Sequence, residues 1–239
     1  MKNTALLLTF ALLIPLSAFC EINPNEIVKK ADLKRGLGNV SHSFNVTITD
    51  QDHKKEVYHV AFKDVNNSLT EQTEPERARG RKILMHDYDI WLFTPNIKKA
   101  LRISLEQKLT GQVANGDIAR TNYAEDYEAK LLGIEKMDNI EVYRLDLKAR
   151  NNKVTYGKIE YFVAKKDFSP VEATFFALSG KPLKRANFSE FKPIQGMSRA
   201  TKMVVQDYLQ KDKVSTMIFS DHNPEKFSES IFNKERLEF

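Results

Sequence analysis

The sequence predicts a mainly β fold with a few short helices. Apolar and polar residues alternate through most of the chain, and the alternating stretches are separated by Gly, Pro, Asn and Asp. Alternation of this kind is the signature of strands, and those residues are the ones that turn a chain tightly. Helical periodicity is clear only near the start.

The chain of 239 residues opens with Lys2 and an almost wholly apolar run over residues 5–14, followed by Pro15, Leu16, Ser17 and Ala18. A positive start, a short apolar stretch and small residues at its end make a secretory signal peptide over residues 1–20, too short to be a spanning helix. Cleavage after Cys20 puts Ala18 and Cys20 at the small-residue positions; cleavage after Ala18 is the rival. Phe19 stands where a lipoprotein signal needs a small residue, so Cys20 is not expected to carry lipid. No later stretch is apolar enough to cross a bilayer as a helix. Cys20 is the one cysteine in the sequence. Once it is removed, an exported chain is left without disulfides, which excludes small stapled scaffolds and requires a real core. Residues 21–239 are long enough to form one as a single domain. Lys and Arg number 37 against 32 Asp and Glu. The excess is spread along the chain with no basic block. It reads as a solvated surface with some attraction to anionic lipid, and no nucleic-acid partner is expected.

Residues 24–37 form the first expected element, an amphipathic helix with Pro24 in its first turn, Gly36 and Gly38 at its end, and Ile27, Val28 and Ala31 as its buried stripe. Phe44, Val46 and Ile48 then alternate with polar residues in a first strand. Residues 57–62 and 66–73 make two more, and 74–78 a short helical turn. Residues 80–103 hold three strands, joined at Asp87-Tyr88-Asp89 and at Thr94-Pro95-Asn96. Residues 105–127 break the alternation. With Gly111, Asn115, Gly116 and Asp117 they read as a long loop with helical turns, and a loop of that length inside a domain is often functional. Strands resume at 127–134, 140–149, 157–164, 171–178, 184–191, 198–208 and 214–221. A short closing helix follows Pro224. The short connections make successive strands neighbours in an antiparallel meander.

The strand Ile90-Trp91-Leu92-Phe93 is the most informative. Its Trp91 and Phe93 share one face and Ile90 and Leu92 the other, and all four are apolar, so both faces need cover. The helices are few, and a sheet this wide curls. Two outcomes remain open: an inner face that lines an apolar cavity, or a sandwich that fills itself. Catalytic and cofactor signatures are missing: no Gly-rich phosphate loop, dinucleotide fingerprint, His-Glu-x-x-His, paired-cysteine site or Gly-x-Ser-x-Gly elbow occurs. No enzyme activity and no cofactor or metal are expected. The histidines, His42, His53, His59, His86 and His222, are scattered. The cluster His86-Asp87-Tyr88-Asp89 is explained by turn chemistry. Asp117, Glu125, Asp126 and Glu128 read as solvated loop acids, and Arg79 and Arg81 as surface charge, with anion binding as the alternative.

The block Arg79-Gly80-Arg81-Lys82-Ile83-Leu84, with Asp89-Ile90-Trp91-Leu92-Phe93-Thr94-Pro95, Arg102-Ile103-Ser104, Gly111, Asp117 and Asp126-Tyr127, resembles the LolA-like family, in its branch of periplasmic outer-membrane lipoprotein-sorting proteins. The resemblance implies a strongly curved antiparallel half-barrel whose concave face is plugged by short helices, with an apolar cavity between. It implies a periplasmic monomer that carries lipid or lipoprotein acyl chains toward the outer membrane, without a cofactor, between an inner-membrane exporter and an outer-membrane acceptor. A sensor of lipid or of a partner, built on the same fold, is the alternative. No lid arginine can be assigned by the resemblance. By alternation, Phe44, Val46, Ile48, Trp91, Phe93, Tyr161 and Val163 are expected to line the cavity. The excursion over 105–127 is the expected lid, with Gly111 and Gly116 as its hinges.

Overall fold

Tight turns set the architecture. Asp138 and Asn139 both take positive φ (43° and 70°), as do Gln195 and Gly196 (49° and 75°), so each pair closes a two-residue hairpin of the type that matches strand twist. The computed structural model describes residues 22–237 apart from 37, 39 and 121. The expected signal peptide lies outside the described residues.

The strands are β1 (His42–Asp50), β2 (Lys55–Asp64), β3 (Asn67–Glu74), β4 (Lys82–His86), β5 (Asp89–Thr94), β6 (Ile97–Ile103), β7 (Lys108–Thr110), β8 (Val113–Ala114), β9 (Tyr127–Met137), β10 (Ile140–Ala149), β11 (Lys158–Ala164), β12 (Pro170–Phe176), β13 (Pro182–Ile194), β14 (Met197–Asp207) and β15 (Val214–Pro224). The helices are α1 (Pro24–Arg35), α2 (Asn115–Ala119), α3 (Tyr123–Asp126) and α4 (Lys234–Leu237). Two 3-10 turns occupy Glu76–Ala78 and Glu229–Phe232. Among the described residues, thirteen strands form one open antiparallel sheet in the order β6-β5-β4-β3-β2-β1-β15-β14-β13-β12-β11-β10-β9, and β7 and β8 pair separately. The half-barrel expectation holds, and a self-filling sandwich does not form.

This order has a consequence for the site. The first and last strands pair in mid-sheet, which leaves β6 and β9 as the two edges. The chain must travel from one edge to the other between them, and residues 104–126 do so across the concave face. Val113, Ile118 and Tyr123 pack there with Val46 of β1, Leu145 of β10 and Tyr161 of β11. Helix α1 lies on the same face, with Ile27, Val28 and Ala31 at most 1% exposed. Its Asn23 cap accepts from the Asn25 amide at 2.9 Å and Pro24 occupies the first turn, as both residue types favour.

The convex face is solvated over β9–β12, where Arg144 bridges Glu135 and Glu160 at 2.9 and 2.5 Å. Over β2–β5 it is apolar. One cross-strand row runs Ala61, Leu69, Leu84, Trp91, and Phe93 joins it in a cluster covered by Phe227, Ile231, Phe232 and Leu237 of the C-terminal segment. This answers what covers the second face of β5. It also corrects the expectation for Trp91 and Phe93, which face away from the concavity. Ile90, Trp91, Leu92 and Phe93 of β5 are all apolar, so alternation among them cannot orient the strand; the register Leu92 opposite Ile83 and Ile90 opposite Met85 does.

Candidate functional site

The concave face carries the site, and its floor is a single row of the sheet. Phe44, Val60, Thr70, Ile83, Leu92 and Leu101 stand opposite one another in turn across β1 to β6. Each points inward because side chains alternate along a strand. At its β1 end the row meets an aromatic pocket of about 50 Å³ lined by Phe44, Phe62, Phe188, Phe219, His42 and His222. At its β6 end it floors a groove of about 340 Å³, with Ile83, Leu92, Ile97, Leu101 and Ile103 on the sheet side and Leu109 of β7 across from them. Ile97 and Leu101 are 43% and 44% exposed. Helix α2 stands between the two hollows: Asn115 lines the groove, while Asp117 and Ile118 line the pocket. Small-molecule sites occupy ~300–1,000 Å³, so the groove has the capacity of a site and the pocket does not.

The segment that crosses the concavity is fastened by buried charge. Arg120 donates from Nε and Nη2 to the two carboxylate oxygens of Asp126, both at 2.6 Å. Its Nη1 reaches the Val65 carbonyl at 3.2 Å, Asn66 Oδ1 at 3.1 Å and the Asp87 carbonyl at 3.2 Å. Tyr88 donates its hydroxyl to Asp126 at 2.9 Å and lies under the guanidinium, 4.2 Å from carbon to ring centre. The segment is thereby tied to the β2–β3 and β4–β5 turns. Lys184 of β13 pairs with Asp117 and donates to the Gln112 carbonyl at 2.9 Å. Asp117 also accepts from the Tyr156 hydroxyl at 2.6 Å and the Ala114 amide at 2.8 Å. Burial pulls the Lys184 ammonium below its ordinary pKa, against the opposing pull of Asp117.

Helix α1 is held in the same manner. Asn25 accepts from the Ala129 amide at 2.9 Å and Asp32 from the Ala124 amide at 2.8 Å. Asp32 pairs with Arg35 at 2.6 Å, and the Arg35 guanidinium stacks 3.5 Å from the Tyr123 ring centre. At the helix C-terminus, Arg199 of β14 donates to the carbonyls of Leu33 and Gly36. A cation there complements the helix dipole and satisfies carbonyls that the helix leaves open.

The pocket has its own electrostatics. Phe44, His42 and His222 form a three-ring cluster: Phe44 lies 5.3 and 5.4 Å from the two imidazoles, which are 6.2 Å from each other. The positive φ of Asp221 (55°) lies within the irregular pairing of β1 with β15, next to His222. His42 donates from Nδ1 to the Val40 carbonyl at 2.6 Å, whereas neither ring nitrogen of His222 has a hydrogen-bond partner. Burial lowers both imidazoles, His42 to about 4, and Arg199 pushes in the same direction.

The structure brings five of the seven expected lining residues to the concave side. Phe44, Val46 and Ile48 of β1 and Tyr161 and Val163 of β11 all belong to its main cluster. Phe44 borders the aromatic pocket; Val46, Ile48, Tyr161 and Val163 are at most 1% exposed and serve as packed floor. The groove residues Ile83, Leu92, Leu101 and Ile103 escaped the sequence reading, although the alternation of Ile90 with Leu92 contains the signal. Asp117 and Asp126 are not the solvated acids expected of a loop, since both are buried in ion pairs. Arg79 pairs with Glu76 at 2.8 Å, while Arg81 lines the groove. Among the described residues no cluster of His, Cys, Asp or Glu is placed to hold a metal, and no helix is long and apolar enough to cross a membrane.

A family model described as an uncharacterized protein matches residues 64–239. No curated protein matches the sequence. The LolA superfamily protein NE2245 from Nitrosomonas europaea is 37% identical, with a TM-score of 0.84 over 90% of this chain and 99% of its own. The fold is also shared with an outer membrane lipoprotein-sorting protein domain from Vibrio parahaemolyticus (21% identity, TM-score 0.74, 90% of this chain and 98% of that one). A DUF1329 family protein from Desulfovibrio piger is similar to the same extent (20% identity, TM-score 0.76, 90% and 97%).

Proposed function

We propose that this chain, which belongs to the LolA superfamily, is a periplasmic carrier that shields an acyl chain of a lipid or lipoprotein on its way toward the outer membrane. The observation that carries this reading is the groove of about 340 Å³, whose apolar lining is left half-covered at Leu101 and Ile97. Acyl chains lose about 0.8 kcal/mol for each methylene left in water, so transit across an aqueous compartment needs such a sheath. No convergent acid, base and nucleophile accompanies the groove, and binding without chemistry is what its lining supports. An inner-membrane exporter would load the carrier and an outer-membrane acceptor would unload it.

The test is lipid transfer. Purified protein stripped of lipid should take up a fluorescent fatty acid, and Leu92→Glu or Leu101→Glu should abolish uptake while the far-UV spectrum is unchanged. Folded wild-type protein that takes up no amphiphile refutes the carrier. The buried anchoring of the crossing segment favours a second reading, a sensor that holds its ligand and signals through a partner. A carrier releases its chain to acceptor vesicles within minutes; a sensor retains it.

A further inference from the structure

Within the proposed carrier reading, we infer that the groove selects a single-chain amphiphile with an anionic head group. The apolar floor has been described; the rest of the lining is polar in a particular way. Arg81 precedes β4 in the same alternation as Ile83 and Met85, so it stands on the inner face, and Lys108 of β7 lines the groove from the crossing segment. Both side chains are exposed at the groove. The lining holds one carboxylate, Glu56, and it is already engaged by the Tyr58 hydroxyl and by Gln72 at 3.1 Å. The groove therefore presents two cations to an incoming ligand, against one carboxylate, whose Oε2 is already in use.

Two hydroxyls make the second observation. Thr70 and Thr94 both line the groove, and the Oγ1 of each is buried without a hydrogen-bond partner. Thr70 is 3% exposed and sits in the middle of the apolar row between Val60 and Ile83. A buried hydroxyl left unpaired is destabilising; a head-group oxygen would satisfy it once the side chains that cover it part. Anionic oxygens accept from hydroxyls and from the planar guanidinium fork, which matches carboxylate and phosphate alike.

Volume sets the number of chains. About 340 Å³ lies near the lower end of the ~300–1,000 Å³ of sites that take one small ligand. The groove is therefore sized for one ligand molecule.

The experiment is calorimetric titration of lipid-free protein with laurate, dodecyl phosphate and 1-dodecanol, which share a chain and differ in the head. Laurate and dodecyl phosphate should bind with one molecule per protein and at least tenfold more tightly than dodecanol. In Arg81→Gln/Lys108→Gln, whose side chains are exposed and leave the fold unburdened, both anions should fall to the affinity of dodecanol, and dodecanol itself should not change. Equal affinity for all three in the wild type, or laurate binding untouched in the double variant, overturns the anionic head while leaving the carrier in place. Two or more laurates per protein overturn the single chain. If none of the three binds, the carrier fails together with this inference.

Discussion

Asp126→Asn should be among the most damaging conservative substitutions in the chain. The Arg120 and Asp126 side chains are each 4% exposed and joined by two hydrogen bonds of 2.6 Å. Replacing the carboxylate by an amide of the same shape removes the counter-charge and turns one of its acceptor oxygens into a donor facing a donor. The guanidinium stays charged and has no route to water. Deleting one partner of a buried pair costs about 3–5 kcal/mol, because the remaining charge is stranded. For a chain of this size each kcal/mol lowers Tm by about 2–4 °C, so calorimetry should show a fall of roughly 6–20 °C. Arg120→Met/Asp126→Leu, which strands no charge, should be more stable than Asp126→Asn alone. Arg144→Gln, in a partly exposed surface network, should leave Tm nearly unchanged. A loss below about 1 kcal/mol for Asp126→Asn, the range of a surface pair, would mean that water reaches Arg120 and that the crossing segment is not a packed plug.

Gly116→Ala would place a Cβ 2.0 Å from Thr155 Oγ1; overpacking of this kind costs about 1–3 kcal/mol, and Thr155→Ala in the same chain should return part of it in urea titrations. Phe232→Ala should cost about 3–5 kcal/mol as a buried Phe truncation and red-shift Trp91 emission, since Phe232 and Trp91 share the convex cluster; a chain binding in the concave groove should leave that emission unmoved. His42 has its native pKa lowered to about 4 from 6.5 by burial, and His222 is lowered too. Depressed imidazoles favour the neutral form, so the unfolded chain binds more protons as pH falls. Their stabilisation is complete above about pH 6.5 and is lost as pH drops toward 4. Allowing for solvent near the pocket, the loss is on the order of 1–2 kcal/mol for His42. The variant His42→Phe/His222→Phe should show a flatter dependence than wild type over that window in urea midpoints, and an identical slope would refute the assignment.

Much of the fold was legible because each strand announces both its alternation and its turn. The segments read at 57–62, 140–149 and 198–208 fall within or within one residue of β2, β10 and β14. The helix over 24–37 ends two residues early, at Arg35, where the amide of Gly36 returns to the Asp32 carbonyl. The crossing segment was legible as an exception to alternation, but not in its role. Its Gly116 reads as a hinge and is instead a point of close approach to Thr155. Its Asp126 has its ion-pair partner, Arg120, only six residues away, but nothing local shows that the pair is buried; its Asp117 reads as a solvated acid because its partner, Lys184, is 67 residues away in the chain. No local pattern carries a pairing of that range.

The site was less legible for a reason that lies in the sheet itself. Alternation sorts residues into two faces but does not say which face is concave, and where both sets are apolar, as in β5, it cannot choose. The choice is made by register, which is a property of pairs of strands. Once Leu92 is set opposite Ile83, and Ile83 opposite Thr70, the row continues to Val60 and Phe44 without further freedom. That one row joins the aromatic pocket to the groove, with α2 standing between them. A chain longer than the groove can hold would have to extend along this row toward Phe44, and α2 is the obstacle in its path. The ion pair of Lys184 with Asp117 and the Tyr156 hydroxyl on Asp117 help to hold α2 there. Under the proposed carrier reading, the length of chain accepted would be set by the anchoring of α2, by residues that touch no part of a ligand seated in the groove.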